Sequence, residues 1–393
     1  MANHLLNTFC PRIDFDSYED FAENFRIDVP ENFNFAYDVV DEWARVEPDK
    51  RALLWCDDHD NERTFTFTDI SRLSNRMANS FSAMGIGKGD VVMCILRRRW
   101  EYWVTAVALC KIGATIIPAT LQLTKKDIVY RAQSAHVKAM VCVDDDYVCG
   151  EVEKALPESP SIESVIVAGG TREGWTSYES LLEEGSEDWV RPAGDKATKN
   201  SDIMLIYFTS GTTGMAKAVC HSFVHPLGHI ITAKYWQQVQ EDRLHMSVSD
   251  SGWAKFGWGK IYGQWICGAT VFAYDMDKFV PAKLLQKIQD YKLTTFCAPP
   301  TMYRFMLQED VERYDLSSVA NFATAGEPLN AEVTLAWERL TGKKIREGFG
   351  QTETPLTCAN LTHSVPRPGS MGRPNPLYEL EIKRDDGSRC DVG

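Results

Sequence analysis

The sequence predicts an α/β fold built on mainly parallel sheets. Strand-like and helix-like runs alternate from Thr64 to Glu347, the pattern of β-α-β units. Three polar, glycine-bearing loops each follow directly on a predicted strand, the place where open α/β sheets bind ligands. The 393 residues suffice for several packing units, which together bury roughly three-quarters of the unfolded surface.

The elements follow in chain order. From Asp14 to Glu47 acidic and aromatic residues are interleaved. Phe35, Val39, Val40 and Trp43 recur at helical spacing and predict a helix seated on the main body. Thr64-Phe65-Thr66-Phe67 alternates like a strand. Thr68 is expected to cap a helix to about Met84, with Ile70, Leu73, Met77 and Phe81 on one face and Gly85 at its end. Lys88-Gly89 turns into a strand from Val91 to Leu96, and the three elements read as one parallel unit. Arg97-Arg98-Arg99 reads as a solvated turn in preference to a phosphate contact. A helix from Trp100 to Lys111 and strands Ala114 to Pro118, Ala139 to Val143 and Ser164 to Ala168 continue the alternation. Gly169 to Lys199, polar, acidic and glycine-containing, reads as a variable surface segment.

A second alternating unit runs through strand Thr270 to Tyr274, helix Pro281 to Tyr291, strand Thr294 to Ala298, helix Thr301 to Glu309, strand Val319 to Thr324, helix Ala331 to Leu340 and strand Lys344 to Glu347. Tyr378 to Arg389 reads as a hairpin with Asp386-Gly387 at its turn.

Composition narrows the function. With 44% hydrophobic and 25% charged residues the chain is an ordinary soluble globular protein. Its formal charge of −13 argues against a nucleic-acid partner, which calls for a basic face. Eleven cysteines scattered singly point to reduced, mostly buried thiols and a cytoplasmic setting. Met1 to Asp20 has neither a signal-peptide nor a transit-peptide pattern. The most apolar stretch, Trp103 to Thr120, is broken by Lys111 and Gly113, so no membrane span is expected. The oligomeric state is open between monomer and homodimer.

The chemistry concentrates in Tyr207-Phe208-Thr209-Ser210-Gly211-Thr212-Thr213-Gly214-Met215-Ala216-Lys217. The apolar run from Ile203 to Phe208 reads as a buried strand. Gly211 and Gly214 allow a tight turn, whose successive N–H groups form an anion-binding concavity. Four hydroxyls and Lys217 add donors and charge, so the stretch reads as a polyphosphate cradle. The competing reading is a polar hairpin. Its glycine spacing excludes a Walker A loop. His221, His225 and His229 have metal-ligand spacing on one helix, yet Pro226 would break or kink that helix, and structural histidines are the favoured reading. Ser249-Asp250-Ser251-Gly252-Trp253-Ala254-Lys255, with Phe256 and Trp258 behind it, reads as a core loop or as the wall of an apolar pocket. Thr324-Ala325-Gly326-Glu327-Pro328 and Gly348-Phe349-Gly350-Gln351-Thr352-Glu353-Thr354 complete the set of loops.

Taken in order, these stretches resemble the N-terminal lobe of the adenylate-forming acyl-CoA synthetases, and most closely the medium-chain acyl-CoA synthetases. Val29-Pro30-Glu31-Asn32-Phe33-Asn34-Phe35-Ala36, Gln122-Leu123-Thr124-Lys125-Lys126-Asp127-Ile128 and Pro368-Gly369-Ser370-Met371-Gly372 add to the likeness, which covers Val29 to the end. Ala216 stands where the family usually has Pro.

The resemblance implies a large lobe of two mainly parallel sheets flanked by helices plus a smaller β part. Residues 1–34 would be an N-terminal extension and 35–393 the AMP-binding domain. The implied reaction activates a short- or medium-chain or branched carboxylic acid with ATP and Mg²⁺, through an acyl-adenylate, and then transfers the acyl group to CoA. Thr209, Ser210, Gly211, Thr212, Thr213, Gly214 and Lys217 would hold the β- and γ-phosphates. Glu353 would take Mg²⁺, and Thr352 would reach the α-phosphate or the substrate carboxylate; with Lys217 these two would be catalytic. Gly326, Glu327 and Pro328 would flank the adenine, with Glu347, Gly348, Phe349, Gly350 and Gln351 beside it and Phe349 stacked on the ring. Trp253, Phe256, Gly350 and Thr352 would border the acyl pocket, and Gln122 would lie towards CoA. The family's ribose-binding Asp, hinge and C-terminal lid with its lysine are expected to be missing from these residues, leaving the fragment impaired. Two alternatives remain: an adenylation domain that loads a carrier-protein thiol, and a nucleotide-binding module without turnover.

Overall fold

The structure, a computed structural model, describes residues 4–209, 215–354 and 356–391. It contains two sheets. The larger has nine strands, in spatial order Arg373–Pro374, Cys358–Ala359, Ile345–Phe349, Asn321–Thr324, Thr295–Cys297, Leu244–Ser247, Thr270–Asp275, Arg51–Asp57 and Glu62–Thr66. Its middle is parallel, and both ends turn antiparallel. The smaller has seven, in the order Thr176–Ser177, Ser164–Ala168, Val137–Val143, Val91–Ile95, Thr115–Pro118, Ile203–Thr209 and Lys217–Ser222. Only its last pair is antiparallel. The expected smaller β part consists of two two-residue strands running off the edge of the larger sheet and one bridge, Lys383 to Arg389. That bridge is all the strand pairing in the expected Tyr378 to Arg389 hairpin, with Gly387 at φ +84° in its turn.

Period-2 alternation divides the strand residues between cores. Ala52, Leu53 and Trp55 face a central core shared by both sheets, while Leu54 and Cys56 face a second core on the larger sheet's other side. Val92 and Cys94 likewise point to the central core, and Met93 and Ile95 to a third core outside the smaller sheet. The helix Glu101–Ile112 lies in the central core and is buried along its whole length. A helix with no solvent face must satisfy its own charges. Glu101 pairs with Arg99, and Lys111 Nζ meets Asp41 Oδ1 at 2.8 Å and Asn75 Oδ1 at 2.5 Å. The N-terminal aromatics join the same core: Phe15, Phe21 and Phe25 surround Tyr235, with ring centroids 6.1, 4.5 and 5.2 Å away. Phe35, Val39, Val40 and Trp43 are buried as their spacing predicts, on a π-helical turn, Ala36–Asp41, that runs into the helix Glu42–Val46.

Several sequence expectations need correction. Thr66, not Thr68, caps the helix Phe67–Ala83. Its hydroxyl accepts from Asp69 N–H at 3.1 Å, and Asp69 Oδ2 accepts from Thr66 N–H at 2.9 Å. This reciprocal box outcompetes Thr68, whose hydroxyl is turned to the Pro48 carbonyl. Nor is this helix the crossover of one parallel unit. Glu62–Thr66 is an antiparallel edge strand of the larger sheet, while Val91–Ile95 lies inside the smaller one. Local alternation cannot report which sheet a strand joins. Within 169–199, the helix Tyr178–Glu184 buries Tyr178 and Leu182, so that segment is partly core. The strand expected to end at Glu347 runs on to Phe349.

Thr66→Ala should destabilise the chain by about 1 kcal/mol, read as a lower urea midpoint with an unchanged slope. Thr68→Ala should have a smaller effect, and an equal effect would place the cap elsewhere.

Candidate functional site

The larger sheet's strands Leu244–Ser247, Thr295–Cys297, Asn321–Thr324 and Ile345–Phe349 end around a cavity of about 700 Å³. Three loop segments named from the sequence converge on it: Ser249, Asp250, Trp253, Ala254, Lys255 and Trp258 from the first, Ala325, Gly326 and Glu327 from the second, Gly350, Gln351 and Thr352 from the third.

Close packing brings these segments together. A Cβ on Gly252 would sit 2.3 Å from the Thr120 backbone N, so the aromatic segment lies directly against the turn that follows strand Thr115–Pro118 of the other sheet. Trp253 is 64% exposed and opens the helix Ala254–Lys260. Within that helix, a Cβ on Gly257 would meet the Tyr207 hydroxyl at 2.5 Å, and one on Gly259 would meet Ser247 Oγ at 2.7 Å. Lys255 Nζ donates to the Ala325 carbonyl at 2.9 Å, tying the helix to the second loop. Burial pulls its pKa down. Gly326 adopts φ +108°, a conformation that favours glycine. The Glu327 carboxylate accepts from Thr301 Oγ1 at 2.7 and 2.9 Å and pairs with Arg304 at 3.3 Å.

Beneath the third loop, Glu347 is buried, and its Oε1 accepts from Leu329 N–H at 3.0 Å. Burial raises its pKa, against that bond. A Cβ on Gly348 would meet Trp236 and Leu356 at 2.8 Å, and one on Gly350 the Leu356 backbone N at 2.4 Å, so both glycines are needed for the turn's fit.

Thr209 and Lys217 face each other across the last antiparallel pair of the smaller sheet. The stretch between them is thus flanked by a hairpin, which accommodates both sequence readings of it. Ser210, Gly211, Thr212, Thr213 and Gly214 lie outside the described residues. The Lys217 side chain is exposed. Thr209, Lys217, Pro328, Glu347, Gly348, Phe349 and Glu353 are not among the residues that line the cavity, and neither is Gln122, which is exposed on a turn. Phe349 is 39% exposed. Phe256 departs from its expected place in the acyl pocket. It is fully buried against Tyr102 and Trp103, with centroids 4.7 and 5.0 Å away, because the helical turn that starts at Trp253 points it into the central core. Trp258, one position beyond Gly257, takes the wall position.

The three arginines are not a solvated turn. Arg97 Nε lies 3.2 Å from Asp275 Oδ1 and its Nη2 2.9 Å from Asp277 Oδ1. Arg98 lines the cavity, donating to Asp250 Oδ2 at 3.4 Å and to the Met276 carbonyl at 2.5 Å. The turn leaves the smaller sheet where the larger sheet's Thr270–Asp275 strand ends, so acidic partners replace water. Burial still raises the Asp275 pKa against the pull of Arg97, Arg98 and Arg99.

Sequence reasoning missed Arg98, Thr232, Trp236, Val248, Met276, Phe279, Pro299, Met302 and Leu356 as lining residues. Thr232 and Trp236 sit in a π-helical turn, Ile231–Gln237, inside an apolar run that carried no loop signal. Pro226 falls in the first turn of helix His225–Ile230, where proline is tolerated, and so does not break it. All eleven cysteines are free. Among the described residues, no helix is long and apolar enough to cross a membrane.

Comparison with known proteins supplies a family. A model described as "AMP-binding enzyme" matches residues 40–393. The chain is 36% identical over 400 residues to a human protein named acyl-coenzyme A synthetase ACSM3, mitochondrial, covering 100% of this chain and 67% of that one. It is 35% identical over 373 residues to human acyl-coenzyme A synthetase ACSM4, mitochondrial, covering 93% and 63%. The chain thus spans about two thirds of the length of such relatives, their N-terminal part. Among solved structures, the anthranilate CoA ligase AuaEII in complex with anthranoyl-AMP superposes with a TM-score of 0.85 at 24% identity, covering 93% of this chain and 69% of that one. The Brucella canis acyl-CoA synthetase gives 0.86 at 22%, covering 96% and 70%. At these identities the structural matches establish the fold, two mainly parallel sheets flanked by helices.

The two aromatic neighbours should separate cleanly. Phe256→Ala should cost about 3–5 kcal/mol of stability, the range for a truncated core aromatic, whereas Trp253→Ala should change the denaturation midpoint little. The reverse order would exchange their assignments.

Proposed function

The chain belongs to the AMP-binding enzyme family, and from that premise we propose that it activates a small carboxylic acid with ATP and passes the acyl group to CoA. The observation that carries this reading is the convergence of two strand-end loops and an aromatic segment on one cavity, mostly apolar with a few polar groups. A short- or medium-chain or branched fatty acid fits a space walled by Trp236, Trp258, Val248, Met276 and Leu356.

A carboxylate oxygen would attack the α-phosphorus of ATP and expel pyrophosphate, giving an acyl-adenylate. The CoA thiol would then displace AMP and form the thioester. Such transfers ask the protein for positioning and charge neutralisation. Thr352, in the cavity wall, is assigned to the reacting carboxylate or α-phosphate. Lys217 and the 209–214 stretch are assigned to the β- and γ-phosphates. Gly326, Glu327 and Pro328, with Glu347 to Gln351, are assigned to the adenine side, Trp253 to the acyl mouth and Gln122 to the CoA side. The exposed Glu353 carboxylate beside Thr352 is the kind of oxygen ligand Mg²⁺ prefers, and the bound ion would neutralise phosphate charge. We divide the chain at 34/35, into an extension and the AMP-binding domain. The free thiols support a reducing compartment, and we take the cytoplasm, which cell fractionation would test. Monomer and homodimer are to be separated by sedimentation.

ATP–pyrophosphate exchange over a panel of carboxylates tests the activity directly. Exchange with none of them would leave a nucleotide-binding module. Glu353→Gln should lower the exchange rate roughly 100-fold or more, the scale for losing one well-placed electrostatic group, and should flatten its Mg²⁺ dependence. Trp253→Gly should reorder the carboxylates by length or branching while ATP affinity stays near wild type. Residues 1–393 expressed by themselves are proposed to bind an adenylate analogue weakly and to form thioester slowly. Calorimetry and thioester assays beside a full-length relative check this, and equal thioester rates would refute it.

A further inference from the structure

The stretch Gln122-Leu123-Thr124-Lys125-Lys126-Asp127-Ile128 opens the helix Lys125–Ala135. Asp127 Oδ2 accepts from Thr124 N–H at 3.0 Å and from Thr124 Oγ1 at 2.7 Å, which fixes where the helix begins. Leu123, Ile128 and Ala132 are buried in the third core, on the outer side of the smaller sheet. The helix start and this buried stripe decide what the second turn presents. There Tyr130 and Arg131 meet the edge of the sheet, where its last two strands, Ile203–Thr209 and Lys217–Ser222, form the antiparallel pair.

The Tyr130 hydroxyl donates to the Ala216 carbonyl at 2.8 Å, immediately before Lys217. Its ring meets that of Phe208 edge-on, with centroids 6.2 Å apart, immediately before Thr209. The Arg131 guanidinium stands over the same Phe208 ring, 5.1 Å from its centroid. In the ladder Phe208 pairs with Ala218, and Thr209 with Lys217. Two consecutive residues of one helix thus touch both arms of the hairpin beside these pairs. Alternation along the strand sets Phe208 on the outer face and Tyr207 in the central core, so Thr209 shares the inner face with Tyr207. The helix therefore braces the hairpin from behind and stays off the face to which Thr209 points.

This end of the hairpin has little else to hold it. Lys217–Ser222 is the edge strand of its sheet and pairs on one side only among the described residues. Lys217, Ala218 and Cys220 are exposed, so burial contributes little there. Segments with few buried contacts open locally at low free energy. A hydroxyl bonded to a backbone carbonyl and a cation set over an aromatic face are directional contacts, and they act on the two arms separately.

We propose that Tyr130 and Arg131 are positioning residues for the phosphate side of the site. Tyr130 holds the arm that carries Lys217, Arg131 holds the arm that ends in Thr209, and together they set the spacing of the two arms. This rests on the phosphate roles proposed above for Lys217 and Thr209. An ångström of drift in such a group costs up to roughly 100-fold in rate, so a brace on an exposed edge strand bears directly on turnover.

The test compares ATP with AMP, which lacks the β- and γ-phosphates. Calorimetry on the 393-residue chain would use each nucleotide with Mg²⁺. Tyr130→Phe keeps the ring against Phe208 and loses the hydroxyl. It should weaken ATP binding about three- to tenfold, the worth of one hydrogen bond, and leave AMP binding unchanged. Arg131→Met keeps the stem and loses the cation. It should weaken ATP binding about two- to fivefold, with Arg131→Lys recovering part of the loss. In ATP–pyrophosphate exchange both losses should fall on kcat or on the KM for ATP, with the carboxylate KM unchanged. Without ligand, the amides of residues 217–219 should exchange about three- to tenfold faster in Tyr130→Phe. Should Tyr130→Phe fail to fold, Arg131→Met gives the same comparison through the other arm. Equal ATP affinity in wild type and both variants overturns the proposal. Equal losses for ATP and AMP also overturn it, by showing general damage to the fold. Lys217→Met separates the clamp from the reading it rests on. If Lys217→Met loses the preference for ATP while Tyr130→Phe and Arg131→Met keep it, the clamp is refuted and the phosphate role stands. If Lys217→Met keeps that preference, the phosphate role is refuted, and amide exchange at residues 217–219 still decides whether Tyr130 holds the arm.

Discussion

The site depends on two sheets ending at the same place, and a buried ionic contact marks where they do. Arg97 and Arg98 leave the smaller sheet's Val91–Ile95 strand and meet Asp275 at the end of the larger sheet's Thr270–Asp275 strand, with Asp250 and Asp277 on either side. Beside them Lys260 is fully buried, and burial, helped by Arg98, brings its pKa down to about 7. Desolvation offsets most of the attraction within such a cluster, so it is weak evidence for net stability. Removing one partner still costs about 3–5 kcal/mol, because a charge is left buried and unpaired. A hydrophobic core tolerates sliding better than a set of facing charges does. The cluster joins the two sheets beside the cavity wall, where Arg98 donates to Asp250 Oδ2 at 3.4 Å.

The central core makes that contact possible. The helix Glu101–Ile112 begins two residues beyond Arg99 and lies buried between the sheets, so the arginine turn is anchored at once by a rigid element. Trp103 Nε1 donates to the Lys260 carbonyl at 2.9 Å, which ties this helix to the one that starts at Trp253. Ridges of large side chains, Tyr102 and Trp103 on one helix and Phe256 on the other, fill the space between them. The cavity wall is thus the solvent side of a helix whose inner side is core.

This explains how much could be read from the sequence. Strand and helix positions were legible because each depends on local periodicity, and 164–168 was placed without error. The three loops were legible because glycine and hydroxyl residues after an apolar run have few other uses. Sheet membership was not legible: Glu62–Thr66 and Val91–Ile95 differ only in distant partners. The arginines were misread because a charge run is solvated unless opposing charges arrive from elsewhere, here from residues about 150 to 180 positions away. Phe256 and Trp258 are two residues apart in one helix, and which of them faces the cavity depends on where the helix starts and on Gly257 and Gly259 setting its depth. Trp236 gave no signal, because an apolar residue in an apolar run is the same symbol whether it faces a core or a ligand.

The charge of the chain bears on how it would take up a polyanion. At −13 overall, long-range attraction for a nucleotide is unavailable, and at physiological ionic strength fields from exposed charges fade over about 8 Å. Selection must therefore happen within contact distance. The structure has suitable means there: strand ends held by parallel ladders, glycines that let backbone come close, and a few cations with fixed partners, such as Lys255 on the Ala325 carbonyl and Arg98 on Asp250. Cations already committed to protein partners orient a ligand through geometry more than through net charge. Outside that wall, Lys217 is exposed and pairs with Thr209 in the last antiparallel ladder of the smaller sheet. Walls held in this way would select a ligand by its fit more than by its charge.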